Sequence, residues 1–161
     1  MVAALSFVFP TPDDTMDFGR ALGRALRAGD LVLLAGPLGA GKTTLTRGIA
    51  DGLGVGGRVS SPTFVLARVH PAGALGVPLV HVDAYRLGGD LSQLDDLDLD
   101  TDLERSAIVV EWGEDSAERL SADYLVVRLD RREDDVREVT LEPHGTWAGR
   151  TGELVTPARQ G

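Results

Sequence analysis

The sequence predicts an α/β fold: a mostly parallel central sheet with antiparallel additions, layered between helices. Three observations carry this. A continuous apolar run, Leu31–Ala35, suits a strand buried on both faces, and Ala107–Trp112, which carries Glu111, reads as a further apolar strand. The first runs directly into a glycine-rich turn and then an amphipathic segment, the order of a strand–turn–helix unit. Near the end, YLVVRLD and VREVTLE flank the charged turn Arg131–Asp135 and read as a hairpin.

Taken in order, Leu5–Phe9 is a short apolar strand closed by Pro10. Thr11-Pro12-Asp13-Asp14 supplies an N-cap, a proline at the first helical position and acids in the first turn. In the helix that follows, Phe18, Leu22, Ala25 and Leu26 share one face, Arg20, Arg24 and Arg27 another, and Gly29 is the expected stop. After Leu31–Ala35 and its turn, Leu45, Ile49 and Leu53 repeat every four residues on a helix ended by Gly54. The stretch VSSPTFVLARV reads as a loop and then a strand, Pro71–Gly76 as a turn, and Pro78–Asp83 as a strand. Leu91–Leu103 is expected to be a short helix or loop, and Glu114–Leu120 a helix. At 161 residues the chain fits one domain. Its fold is expected over residues 1–142, with an irregular tail over 143–161 outside the core.

The turn after the first buried strand reads Gly36-x-x-x-x-Gly41-Lys42-Thr43, the form of a phosphate-binding loop. Backbone N–H groups of such a loop and of the helix start form an anion cradle. The candidate set is Gly36, Leu38, Gly39, Ala40, Gly41, Lys42, Thr43 and Thr44. Lys42 is the chain's only lysine, against fifteen arginines among the 16 basic residues. A compact ammonium on a flexible stem reaches phosphate oxygens where a planar guanidinium would not fit. Thr43 offers a hydroxyl to Mg²⁺. The expected architecture is therefore a P-loop NTPase-like three-layer sandwich. The chain has no asparagine, and its one lysine is committed to the loop, so the usual guanine-reading element cannot be built. ATP is the expected nucleotide.

Asp83 and Glu111 end predicted strands at the edge where open α/β sheets bind ligands. Either can serve Mg²⁺, directly or through water, while the other orients or deprotonates the attacking water. The residues leave the two roles interchangeable, with Lys42, Asp83 and Glu111 as the catalytic set and Thr43, Asp83 and Glu111 as the metal set. Ser60–Thr63 lies where switch segments of such folds occur, and an ordinary turn explains it equally well. Arg86 suits either transition-state charge or pairing with nearby acids. His81 is assigned no chemistry.

Composition narrows the partners. The net charge is −9, and seven acids crowd between Asp90 and Glu104. Phosphate neutralisation dominates nucleic-acid affinity, so unaided RNA binding is expected to be poor. There is no cysteine, hence no disulfide or thiolate metal site. No apolar run approaches the ~18–20 residues of a membrane-spanning helix, and MVAALSFVFP lacks a signal-peptide pattern. A cytoplasmic protein is expected.

GPLGAGKTT, SSPTF, HVDAYRL and VVEWGE, in this order and spacing, resemble the TsaE (YjeE) family over about Leu5 to Leu141. The resemblance implies a small ATPase of bacterial tRNA threonylcarbamoyladenosine synthesis. It implies TsaD and TsaB as partners, which transfer a threonylcarbamoyl group to the adenosine beside the anticodon. ATP hydrolysis would reset that assembly rather than make the carbamoyl adenylate, with tRNA met only through the complex. By motif match Lys42 and Thr43 take the phosphate and metal roles, Asp83 and Glu111 the acidic ones, and Trp112 joins the functional core. Thr15 matches a position near the nucleotide, as does the loop at Arg131. Two other readings compete. A small-molecule P-loop kinase needs an acceptor pocket and an arginine-bearing lid, of which only Arg131-Arg132 gives a trace. A nucleotide-controlled docking protein would bind ATP and barely hydrolyse it.

Overall fold

A computed structural model describes residues 5–36, 41–55, 67–73, 75–83, 105–111, 123–132 and 136–150. Seven strands form one sheet: β1 (Leu5–Phe9), β2 (Leu31–Ala35), β3 (Ala67–His70), β4 (Leu79–Asp83), β5 (Ala107–Glu111), β6 (Tyr124–Arg131) and β7 (Arg137–His144). Their spatial order is β1-β7-β6-β2-β5-β4-β3. The central four, β6-β2-β5-β4, are parallel. The antiparallel pairs β1–β7, β6–β7 and β3–β4 extend the sheet to both edges. This is the predicted mixed sheet. β2 and β5 are buried at every residue, as the apolar runs Leu31–Ala35 and Ala107–Val110 require, with Glu111 buried at the end of the second.

Alternation across the pleat sorts the core. Val32, Leu34, Leu79, Val109 and Val127 join Phe18 and Leu22 of α1 (Pro12–Ala25) and Leu45, Ile49 and Leu53 of α2 (Lys42–Leu53) in one cluster. The intervening Leu31, Leu33, Val80, Val82, Ile108 and Val110 are also buried, so both faces of the sheet's centre are covered. Phe9 of β1 meets Phe18 with ring centroids 5.4 Å apart, tying the edge strand to α1.

The two helices touch backbone to backbone. Gly19 and Gly23 of α1 face Gly48 and Gly52 of α2: a Cβ built at Gly48 would lie 2.4 Å from the Met16 carbonyl oxygen. One built at Gly23 would lie 2.3 Å from that of Ile49. The contacts advance together along both chains, Gly19 against Leu45 and Gly23 against Gly52, so the helices run in the same direction. Their N-termini therefore stand side by side. Arg20 crosses the seam to Asp51, at 2.6 Å, and also holds Asp17, at 2.7 Å. Those hydrogen bonds, to Asp51 first and then Asp17, raise the guanidinium pKa above its ordinary value.

Two expectations need correcting. Helix α1 ends at Ala25, not Gly29: Leu26 turns to an extended conformation and enters the core. The Asp30 carboxylate accepts from the Arg27 amide at 2.6 Å and closes the turn that follows. Arg27 thus leaves the helix, and the expected basic face is broken up. The second correction concerns residues 143–150, expected outside the core. Strand β7 continues to His144, and a 3-10 turn, Gly145–Gly149, buries Trp147 in the main cluster. Arg150 covers that ring at 3.9 Å and pairs with Asp30 at 2.7 Å. One large aromatic can anchor a segment that has no periodicity to reveal it. Residues 151–161 lie outside the described residues, as does the predicted helix Glu114–Leu120.

Candidate functional site

The two helices begin in contrasting ways. α1 caps itself: the Asp14 amide donates to Thr11 Oγ1 at 3.2 Å and the Thr11 amide donates to the Asp14 carboxylate at 3.0 Å. Pro12 and two acids complete that first turn. α2 has none of this. Its N-cap is Gly41, at φ 107°, with no side-chain cap and no acid in the first turn. The left-handed conformation is what demands glycine here. An uncapped helix start with no acid in its first turn suits an anion.

Lys42 is buried, and its Nζ donates to the Gly36 carbonyl at 2.7 Å, drawing the ammonium across the strand–helix junction. Thr46 Oγ1 donates to the Lys42 carbonyl at 2.8 Å and steadies the first turn. Gly36, Gly41, Lys42, Thr43 and Thr44 thus gather at one junction. Leu38, Gly39 and Ala40 lie outside the described residues.

Both predicted acids end neighbouring strands. Glu111 is opposite Leu34 of β2, two residues before Gly36, and opposite Asp83 of β4. The sheet therefore lines up loop, Glu111 and Asp83 on consecutive strand ends. Glu111 is 6% exposed, and its Oε2 lies 3.2 Å from Nε2 of His81. The sequence had offered no role for that histidine; its place beside Glu111 becomes visible only through the β4–β5 register.

Thr15 comes next to this junction through the parallel seam of α1 and α2, one residue before the Met16 carbonyl that abuts Gly48. It is 1% exposed, and its Oγ1 has no hydrogen-bond partner among the described residues. A buried hydroxyl left so is the kind of group a ligand satisfies. Arg131 sits exposed at the end of β6, opposite Arg137 in register. Arg137 is the hairpin arginine that approaches the loop: a Cβ built at Gly41 would lie 3.6 Å from its Nε. No sequence signal singled it out. Ser60–Thr63, Arg86, Trp112 and the acidic run from Asp90 to Glu104 lie outside the described residues.

The donors fit Mg²⁺ held together with a nucleotide. That ion keeps several waters and takes one or two carboxylates plus phosphate oxygens. Thr43 and a strand-end acid supply oxygen at the place where the loop would hold phosphate. Among the described residues no group of three or more His, Cys, Asp or Glu side chains is gathered as a chelating centre. None of the described helices is long and apolar enough to cross a membrane.

A family model described as "Threonylcarbamoyl adenosine biosynthesis protein TsaE" matches residues 9–139. The tRNA threonylcarbamoyladenosine biosynthesis protein TsaE of Streptomyces coelicolor is 59% identical over 137 residues, spanning 82% of this chain and 93% of the relative. Its counterpart in Bacillus subtilis is 36% identical over 135 residues, 83% of this chain and 82% of the relative. The crystal structure of Bacillus subtilis YdiB superposes with a TM-score of 0.75 at 30% identity, covering 99% of this chain and 97% of that one. The chain belongs to the TsaE family of threonylcarbamoyl adenosine biosynthesis proteins.

Proposed function

We propose that this protein is a Mg²⁺-dependent ATPase acting in the cytoplasm with TsaD and TsaB, in synthesis of the threonylcarbamoyl modification of the adenosine beside the tRNA anticodon. The observation that carries the reading is the junction of β2 and α2. A buried ammonium is held across a left-handed glycine start, with a buried carboxylate on the next strand end.

In this reading the α2 start and Lys42 bind the phosphates and neutralise their charge. Positioning and electrostatic stabilisation are nearly all that phosphoryl transfer asks of a protein. Thr43 and one of the two acids would hold the metal, which would offset the charge that develops on the phosphate. The remaining acid orients or deprotonates the attacking water. Thr15 satisfies its buried hydroxyl on the nucleotide. The missing asparagine and the single lysine favour ATP over GTP. With a net charge of −9, the protein meets tRNA through the complex rather than by its own grip.

The test is steady-state ATP turnover by the protein alone and with the TsaD–TsaB pair. The expected result is slow hydrolysis alone and strong stimulation by the pair. Unchanged turnover, or transfer of the γ-phosphate to a metabolite instead of water, would overturn the proposal.

A further inference from the structure

His81 is fully buried, and neither ring nitrogen has a hydrogen-bond partner among the described residues. It occupies the middle of β4, with Leu79 before it on the same face, Val109 directly opposite on β5 and Arg68 directly opposite on β3. An imidazole buried there loses its water and needs a polar partner to offset that loss. The carboxylate of Glu111 stands within reach. Its Oε2 lies 3.2 Å from Nε2, diagonally across two parallel strands, close enough for a hydrogen bond but off the N–H···O line. A small turn of either side chain brings the two into line.

We propose that His81 is a positioning residue for Glu111. Its Nε2–H engages Oε2 and restricts the carboxylate's rotation, leaving Oε1 for the metal or the attacking water at the strand edge. The inference rests on the reading of Glu111 given above and adds a residue to it. Partners of this kind orient acidic groups in metal and nucleotide sites, and removing one costs roughly 10–100-fold in affinity or activity.

The experiment is a double-mutant cycle of His81→Leu and Glu111→Gln, with His81→Gln as the conservative variant. Two quantities are measured. One is the Mg²⁺ concentration for half-saturation of ATP binding by calorimetry; the other is ATP turnover in the presence of TsaD and TsaB. Thermal unfolding of each variant confirms that it is folded. Whichever quantity Glu111→Gln shifts, His81→Leu is expected to shift the same way by roughly 10-fold or more. In the Glu111→Gln background the same change should add less than about twofold, because coupled residues are not additive. His81→Gln, whose amide reaches the place of Nε2, should recover most of the loss. An equal loss in both backgrounds, no loss at all, or no recovery by His81→Gln would overturn the role for His81 while leaving that of Glu111 intact. If Glu111→Gln moves neither quantity, the reading of Glu111 fails and the inference falls with it.

Discussion

Gly48→Ala tests whether the helix carrying Thr15 and the helix carrying Lys42 depend on direct backbone contact. The new Cβ would lie 2.4 Å from the Met16 carbonyl oxygen, 2.9 Å from Gly19 Cα and 3.1 Å from the Arg20 amide nitrogen. All three atoms are α1 backbone, so no side chain can swing aside. Carbon atoms pack at about 3.5–4.0 Å, so the seam must open by at least about 0.6 Å at Gly19. Overpacking of a tight core costs about 1–3 kcal/mol, and a backbone-only clash belongs at the upper end. Alanine's better helix propensity returns at most about 1 kcal/mol. The expected net loss is about 2 kcal/mol, or roughly 4–8 °C in Tm for a chain of this size. Because the seam also sets Thr15 beside the α2 start, ATP affinity should fall as well. The assay is urea and thermal unfolding beside Gly149→Ala, where a Cβ meets nothing within 4 Å. That control should stay within about 0.5 kcal/mol of wild type. A Gly48→Ala protein as stable as the control, or more stable, would refute the backbone-contact account.

Two further outcomes follow from the same structure. Lys42→Ala removes the ammonium that bridges to Gly36, so calorimetric titration should show Mg-ATP binding weakened at least tenfold, a loss of about 1.4 kcal/mol or more; unchanged affinity would exclude the loop as the phosphate site. Trp147→Ala should cost roughly 3–5 kcal/mol in urea unfolding, as for other buried aromatics, and would also strip Arg150 of its ring contact. A loss under about 1 kcal/mol would return residues 143–150 to the role of a loose tail.

The parts of the fold legible in the sequence are those where local pattern and tertiary role coincide. The apolar runs Leu31–Ala35 and Ala107–Val110 marked β2 and β5 because both faces of those strands are covered. Thr11 and Asp14 marked the start of α1 because a capping box is made within four residues. The glycine-started helix α2 was legible for the same reason: Gly41, Lys42 and Thr43 follow one another at the turn where it begins. What escaped depends on distant pairing. The stop of α1 at Ala25 is secured by Asp30, itself held by Arg150 from the other end of the chain. Arg137 reaches Gly41, and His81 reaches Glu111, only through strand registers that no local pattern encodes. The glycine seam was different: Gly19 and Gly23, and Gly48 and Gly52, recur at four-residue spacing on two amphipathic helices. That signal was present and went unused, because glycine in a helix reads first as a weak helix former.

The central claim, that loop and strand-end acids form one ATP-hydrolysing site, is tested most directly by phosphate release from Mg-ATP in the presence of TsaD and TsaB. Wild type, Glu111→Gln and Asp83→Asn belong in one assay, with nucleotide affinity measured in parallel. One substitution should lower turnover by roughly 10²–10⁴-fold with affinity little changed, as loss of a general base or water-positioning group does. The other should chiefly weaken Mg²⁺-dependent binding. Which acid takes which part is the result itself. Turnover near the wild-type rate in both variants would contradict the account.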